Sequence, residues 1–250
     1  MREPDRVFAD PRWALLYDVF DNDRSDLDSY VAVTEEVRAR TVVDIGCGTG
    51  SLAVRLAERG IDVVGVDPAS ASLQVARSKP HADRVRWIDG DATALRDMSL
   101  EADLAVMTGN VAQVFVTDED WHTTLGAVHA CLRADGWFVF ETRRPEARDW
   151  ENWGPDATTI VLPDRRTATE SMTVTEVALP LVSFESTAVI EGERLASTST
   201  LRFRARREVE DDLVRQGFDV VDVREAPDRP GKEYVFLARR RATNRVSDAT

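Results

Sequence analysis

The stretch Val42-Val43-Asp44-Ile45-Gly46-Cys47-Gly48-Thr49-Gly50 constrains this chain more than any other. Val42, Val43 and Ile45 read as the end of a buried parallel strand, where apolar residues run on without polar alternation. Three glycines at alternate positions follow, and Ser51 opens an amphipathic helix with Leu52, Ala53, Leu56 and Ala57 on one face. Glycines let the backbone turn sharply and lie directly against a ligand. A second apolar strand, Val63-Val64-Gly65-Val66, ends in Asp67 with Pro68 behind it. A carboxylate at that place suits the two hydroxyls of a ribose.

The dinucleotide fingerprint is G-x-G-x-x-G. This chain reads G-x-G-x-G, followed by Ser51, and carries Asp44 two residues before the first glycine. That combination resembles motif I of the class I S-adenosylmethionine (SAM) dependent methyltransferases, of the small-molecule type. The resemblance implies an α/β fold, a Rossmann-like doubly wound seven-stranded sheet with its last strand antiparallel. It implies SAM as cofactor, S-adenosylhomocysteine as product, and Asp44, Gly46, Cys47, Gly48, Gly50, Asp67 and Pro68 as cofactor contacts. Downstream, Asp89-Gly90-Asp91-Ala92 resembles the family's adenine-edge motif, with Asp91 accepting from the exocyclic amine and the Ala92 N–H donating to the ring. By itself the same stretch reads equally well as a solvated turn. After the apolar strand 102–107, the resemblance places Thr108, Asn110 and Gln113 at the amino acid end of SAM. A plain small-residue turn is the alternative there. A Tyr-Asp pair like Tyr17-Asp18 recurs in the family, with its tyrosine near the methyl donor; on its own Tyr17 reads as a core aromatic.

Charge limits the partners. The chain has 45 acidic and 32 basic residues, a net charge of −13, and no basic run. Such a surface repels phosphate backbones, so no nucleic acid partner is expected. No Asn/Asp-Pro-Pro-aromatic tetrapeptide follows the fourth strand, which also argues against base amines as acceptors. The two cysteines, Cys47 and Cys131, suggest no disulfide framework, and no CxxC or HExxH spacing suggests a metal. Cys47 reads as a small loop filler rather than a nucleophile. No apolar run approaches a membrane span, so no membrane partner and a cytoplasmic setting are expected.

Residues 1–40 read as an N-terminal helical cap, with Trp13, Leu15, Leu16, Tyr17, Val19 and Phe20 clustered in a charged stretch. Residues 41–142 read as the SAM-binding core. Its second helix spans about 69–79, its third strand 85–88, and a helix capped by Thr117 and Asp120 runs to about Arg133. A turn at Asp135-Gly136 then leads to a fifth strand, 137–141. From 143 to 204 the character changes to Thr-, Val- and Ser-rich alternation over 158–162, 168–179, 182–191 and 194–204, with a hairpin turn at Glu191-Gly192. This predicts an antiparallel β subdomain inserted after the fifth strand, on the acceptor side or at an oligomer contact; a homodimer is one expectation. Residues 205–240 read as the closing helix and hairpin of the core, and 241–250 as a disordered tail.

The expected chemistry is direct displacement of a methyl group onto an amine or hydroxyl of a small-molecule acceptor. The donor brings its own leaving group, so alignment matters more than acid–base groups. The chain holds three histidines. His122 and His129 lie seven apart on one helix face; they read either as an acid/base pair or, better, as boundary residues beside a packed stripe. With Tyr17 they are the candidate catalytic groups. This dearth of a base favours an amine or an already acidic hydroxyl. The layout is also similar to amino-sugar N-methyltransferases. Other readings are a non-catalytic SAM- or nucleotide-binding protein and a nicotinamide-dependent oxidoreductase.

Overall fold

The computed structural model describes residues 3–21, 23–154, 156–162 and 165–242. The chain enters through three helices, α1 (Arg6–Ala9), α2 (Pro11–Phe20) and α3 (Asp28–Glu36). Asp10 opens α2 by accepting the Arg12 N–H, and Pro11 sits at the first turn, where it loses no helical hydrogen bond. There follow β1 (Thr41–Ile45), α4 (Ser51–Ala57), β2 (Asp62–Asp67), α5 (Ser70–Ser78), β3 (Val85–Asp89), β4 (Ala102–Met107), α6 (Asp118–Cys131) and β5 (Leu132–Arg143). The inserted strands are β6 (Thr158–Val161), β7 (Thr167–Ala178), β8 (Leu181–Ile190) and β9 (Glu193–Arg202). The chain closes with α7 (Arg206–Arg215), β10 (Phe218–Glu225) and β11 (Glu233–Arg240).

The main sheet has seven strands in the order β10-β11-β5-β4-β1-β2-β3. All are parallel except β11, which runs antiparallel to both β5 and β10. Helices cover both faces, so the central strands are apolar on both sides. Along β4, Leu104 and Val106 join a core with Val42, Leu52, Leu56 and Leu237. Ala105 and Met107 join the opposite core, with Val43, Trp121, Leu125, Phe138 and Phe140. After β3 the chain crosses to the other side of β1. The carboxyl ends of β1 and β4 therefore diverge into a crevice, the standard ligand position in such sheets.

The second sheet, β6-β7-β8-β9, is antiparallel throughout and follows β5 in sequence. The Glu191-Gly192 turn has positive φ at both residues, 51° and 83°, as a tight hairpin of this hand requires. Trp13 of α2 packs on Ala188 and Leu195 of this sheet, and Leu16 packs on Leu162 and Ala168. The Val7 N–H donates to Ser197 Oγ at 3.0 Å, and Ser72 of α5 donates to the Phe8 carbonyl at 3.0 Å. Helices α1 and α2 thus bridge the inserted sheet and the main frame.

One boundary differs from expectation. Strand β5 begins at Leu132 rather than at Trp137, because Leu132 already pairs with Ala102 before the chain bulges. The register then jumps to Leu104 opposite Trp137, and Asp135 takes φ 60° inside the bulge. The expectation for the tail falls, beyond Ala242, outside the described residues.

Candidate active site

The glycine turn is pinned to the neighbouring strand. The Gly46 and Cys47 N–H groups both donate to the Val66 carbonyl, at 2.8 and 3.2 Å. Gly46 has φ 70°, and a Cβ there would lie 2.6 Å from a Val111 methyl. Only glycine lets the turn and the loop after β4 approach this closely. Gly48, at φ 52°, faces nothing within 4 Å on its Cβ side, so its backbone is open to the crevice. Asp67 is buried at the end of β2; its carboxylate accepts the Gly48 N–H at 2.8 Å and the Ala69 N–H at 2.7 Å.

These elements surround a cleft enclosing about 1350 Å³ including its mouth. Tyr17, Asp44, Gly46, Cys47, Gly48, Asp67, Pro68, Asp91, Ala92 and Thr108 all line it. Gly50 lies behind the turn, donating its N–H to the Cys47 carbonyl at 2.8 Å. Asp91 Oδ1 accepts the Thr93 N–H at 2.7 Å and so caps a short helical turn beside the cleft.

Asp44 is under electrostatic stress. It is 1% exposed, and its Oδ1 has no hydrogen-bond partner. Burial, then the nearby Asp67 charge, pushes its carboxyl up to about 7. Burial and the Asp44 and Asp67 charges push the Cys47 thiol up, so it stays protonated, as a loop filler would. Burial also raises Tyr17, keeping it a neutral phenol that can donate a hydrogen bond.

Other lining residues carried no local sequence signal. Arg24 is the one cation among the described lining residues, and the segment Glu3 to Phe8 forms part of the wall. The cap is tied down beside the turn. Asp18 accepts from Thr49 Oγ1 at 2.6 Å and pairs with Lys79 at 2.7 Å, while Lys79 also donates to Ser51 Oγ at 2.9 Å.

Besides Gly50, four sequence candidates lie outside the cleft lining. Asn110 is 2% and Gln113 0% exposed, and neither lines the cleft. Asn110 Nδ2 donates to Glu233 at 2.9 Å, and Gln113 accepts from Arg143 at 3.0 Å. Left-handed backbone at Asn110 (φ 61°) carries the chain into the short turn Val111–Gln113 behind the cleft wall. His122 Nε2 meets Asp212 Oδ1 at 3.1 Å, and His129 stands edge-on to Phe218. Both histidines pack against the closing segment rather than the crevice, which leaves no role for them as an acid/base pair there. No group of three metal-binding side chains occurs among the described residues, and no described helix is long and apolar enough to cross a membrane.

Crevice, glycine turn and ribose-position carboxylate define a Rossmann-like nucleotide-binding frame. Comparison with known proteins narrows this. A methyltransferase domain profile matches residues 42–136. The cypemycin N-terminal methyltransferase of a Streptomyces species is 29% identical over 154 residues, 61% of this chain and 60% of that protein. The glycine/sarcosine N-methyltransferase of Parasynechococcus marenigrum is 30% identical over 135 residues, 53% of this chain and 48% of that protein. The chain spans about half the length of the curated relatives it matches. Among solved structures, CalS10, an amino pentose methyltransferase from Micromonospora echinaspora, aligns with TM-score 0.71 at 20% identity, covering 90% of this chain and 96% of that one. DesVI of Streptomyces venezuelae aligns with TM-score 0.74 at 18% identity, covering 92% and 98%. At such identities the structures speak for the fold. Residues 42–136 are similar to methyltransferase domains, and with the relatives this supports a class I SAM-dependent methyltransferase, a family whose cofactor is SAM.

Proposed function

We propose that this protein is a SAM-dependent methyltransferase that acts on an amine of a small molecule, of the amino-sugar class. The observation that carries the cofactor assignment is the buried, unpartnered Oδ1 of Asp44, a residue that lines the cleft together with Arg24, Asp67 and Asp91. An amino acid presents an ammonium and a carboxylate, and Asp44 and Arg24 are the opposite charges to receive them. Asp67, held by the Gly48 N–H, suits a ribose, and Asp91 with the Ala92 N–H suits an adenine edge. The residues present therefore fit SAM.

When bound, SAM supplies an activated methyl and its own leaving group. The chain's part is then to orient and to exclude water. The glycine turn and β2 hold the nucleoside end, and Asp44 and Arg24 hold the amino acid end. Phe8 and Tyr17, with ring centroids 6.1 Å apart, close the cleft from the cap side. Tyr17 is a hydrogen-bond donor there, not a base. Histidine and lysine are both missing from the described lining, and an attacking neutral amine needs only solvent to take its proton after transfer. This favours an amine over a hydroxyl of high pKa. The amino pentose and sugar N-methyltransferase neighbours support the acceptor class. The inserted sheet leaves strands β6 and β9 at its edges, and a homodimer joined there is part of the proposal; light scattering with a monomer mass would remove it.

Calorimetric titration with SAM tests the assignment. The wild type binds, and Asp67→Ala abolishes measurable binding while its circular dichroism is unchanged. Unchanged affinity in the variant would overturn the site.

A further inference from the structure

Glu141 lies near the end of β5 and is 6% exposed. Its Oε1 accepts the Asn110 N–H at 3.0 Å, and the Gly109 N–H is also bonded to its carboxyl. Gly109 and Asn110 are consecutive residues with left-handed backbone, φ 70° and 61°. Such a conformation at a non-glycine residue persists only where surrounding contacts hold it. Those contacts continue outward. Asn110 Nδ2 donates to Glu233, which also accepts from Arg229 at 2.8 Å. Arg143 stands 4.0 Å from Glu233 and donates to Gln113. A connected polar seam thus backs the loop after β4.

The loop's other side is the cleft. Thr108, Gly109 and Val111 line it. Val111 fills the space where Gly46 lacks a side chain, so loop and glycine turn interlock. A shift of the loop changes the cleft wall opposite the cofactor's turn. Burial and the Glu233 charge hold the Glu141 carboxyl up at about 7, with Asn110 and Gly109 N–H groups and the Arg229 charge opposing. A buried carboxyl kept against that cost, with two backbone donors on it, has a positional task.

We propose that Glu141 is a positioning residue that fixes the loop Thr108–Val114, and through it the acceptor-facing wall of the cleft. The seam accounts for Asn110 and Gln113, whose side chains brace the loop from behind rather than touch a ligand. The proposal rests on the methyltransferase reading for its catalytic consequence, but not for its structural one.

The test uses full-length protein carrying Glu141→Met, which fills the space without an acceptor, and Glu141→Gln, whose amide oxygen still accepts. Amide hydrogen exchange over residues 108–114 needs no substrate. In Glu141→Met that exchange rises about tenfold or more, and in Glu141→Gln it stays near wild type. With an amine that wild type methylates, kcat of Glu141→Met falls about tenfold to a hundredfold. Its S-adenosylhomocysteine affinity stays within about threefold, and Glu141→Gln restores kcat. Exchange and kcat both unchanged in Glu141→Met would overturn the proposal, as would Glu141→Gln failing as badly as Met. If Glu141→Met shows no cooperative unfolding, Glu141→Asp replaces it. That variant keeps a carboxyl but draws it one methylene back from the Asn110 and Gly109 N–H groups; faster exchange over 108–114 supports the proposal and unchanged exchange overturns it. A wild type that methylates no amine would refute the earlier reading alone, because the exchange result still decides Glu141.

Discussion

Asp44 gives the sharpest prediction. Its carboxyl sits at about 7 because burial and Asp67 oppose its charge. Receiving an ammonium requires the ionised form, so the free protein must first lose a proton. With that pKa, about 3% of the protein is ionised at about pH 5.5 and about three quarters at about pH 7.5. The dissociation constant for S-adenosylhomocysteine therefore falls about twentyfold over that range, on the order of 2 kcal/mol. Calorimetry in a matched buffer series measures it, and the ammonium of the ligand stays charged throughout. Asp44→Asn binds more weakly at the upper pH and loses the slope. A flat profile in the wild type, or affinity that falls with rising pH, would refute the pairing of Asp44 with the ammonium.

Glu141 has a folded-state pKa raised above its unfolded value, so the stability tied to it is complete below the ordinary glutamate range and is lost as pH rises to about 7. Urea unfolding should show Glu141→Gln losing less stability than wild type between about pH 5 and pH 8, by on the order of 3 kcal/mol or less. Lys79→Met breaks the tie between the cap and the glycine turn. It should weaken S-adenosylhomocysteine binding severalfold and speed tryptic cleavage within residues 3–24, with a change in thermal midpoint of only a few degrees. His122→Ala should leave the methyl-transfer rate of folded protein within about twofold, since its partner is Asp212 on α7; a loss of about tenfold or more would return the histidine to the chemistry.

Strands and helices were legible wherever one period governed a whole segment. The glycine turn, β1, β2 and β4 announced themselves by apolar runs bounded by glycine or acid. The four inserted strands did so by alternation of Thr, Val and Ser. Their ends agree with the observed ones to within two residues. The bulge in β5 was not legible, because Leu132 pairs with Ala102 thirty residues earlier and Asp135-Gly136 has ordinary turn chemistry. In the site, residues on the glycine turn and at strand ends were placed by the strand–turn–helix pattern together with the resemblance it carries. Arg24 and the segment Glu3–Phe8 were not, because their place depends on Trp13 and Leu16 docking on a sheet far along the chain. Asn110 and Gln113 were assigned to the crevice because they follow β4. Their partners Glu233, Arg143 and Arg202 come from segments up to 123 positions away, and nothing local shows which way such side chains turn.

The most direct measurement of the central claim is product formation from methyl-labelled SAM across a panel of amino sugars and simple amines. S-adenosylhomocysteine should appear in step with one N-methylated acceptor, and neither product should form with Asp67→Ala. Tight binding of SAM and S-adenosylhomocysteine with no methylated amine from any acceptor would contradict it and make the protein a SAM-binding module.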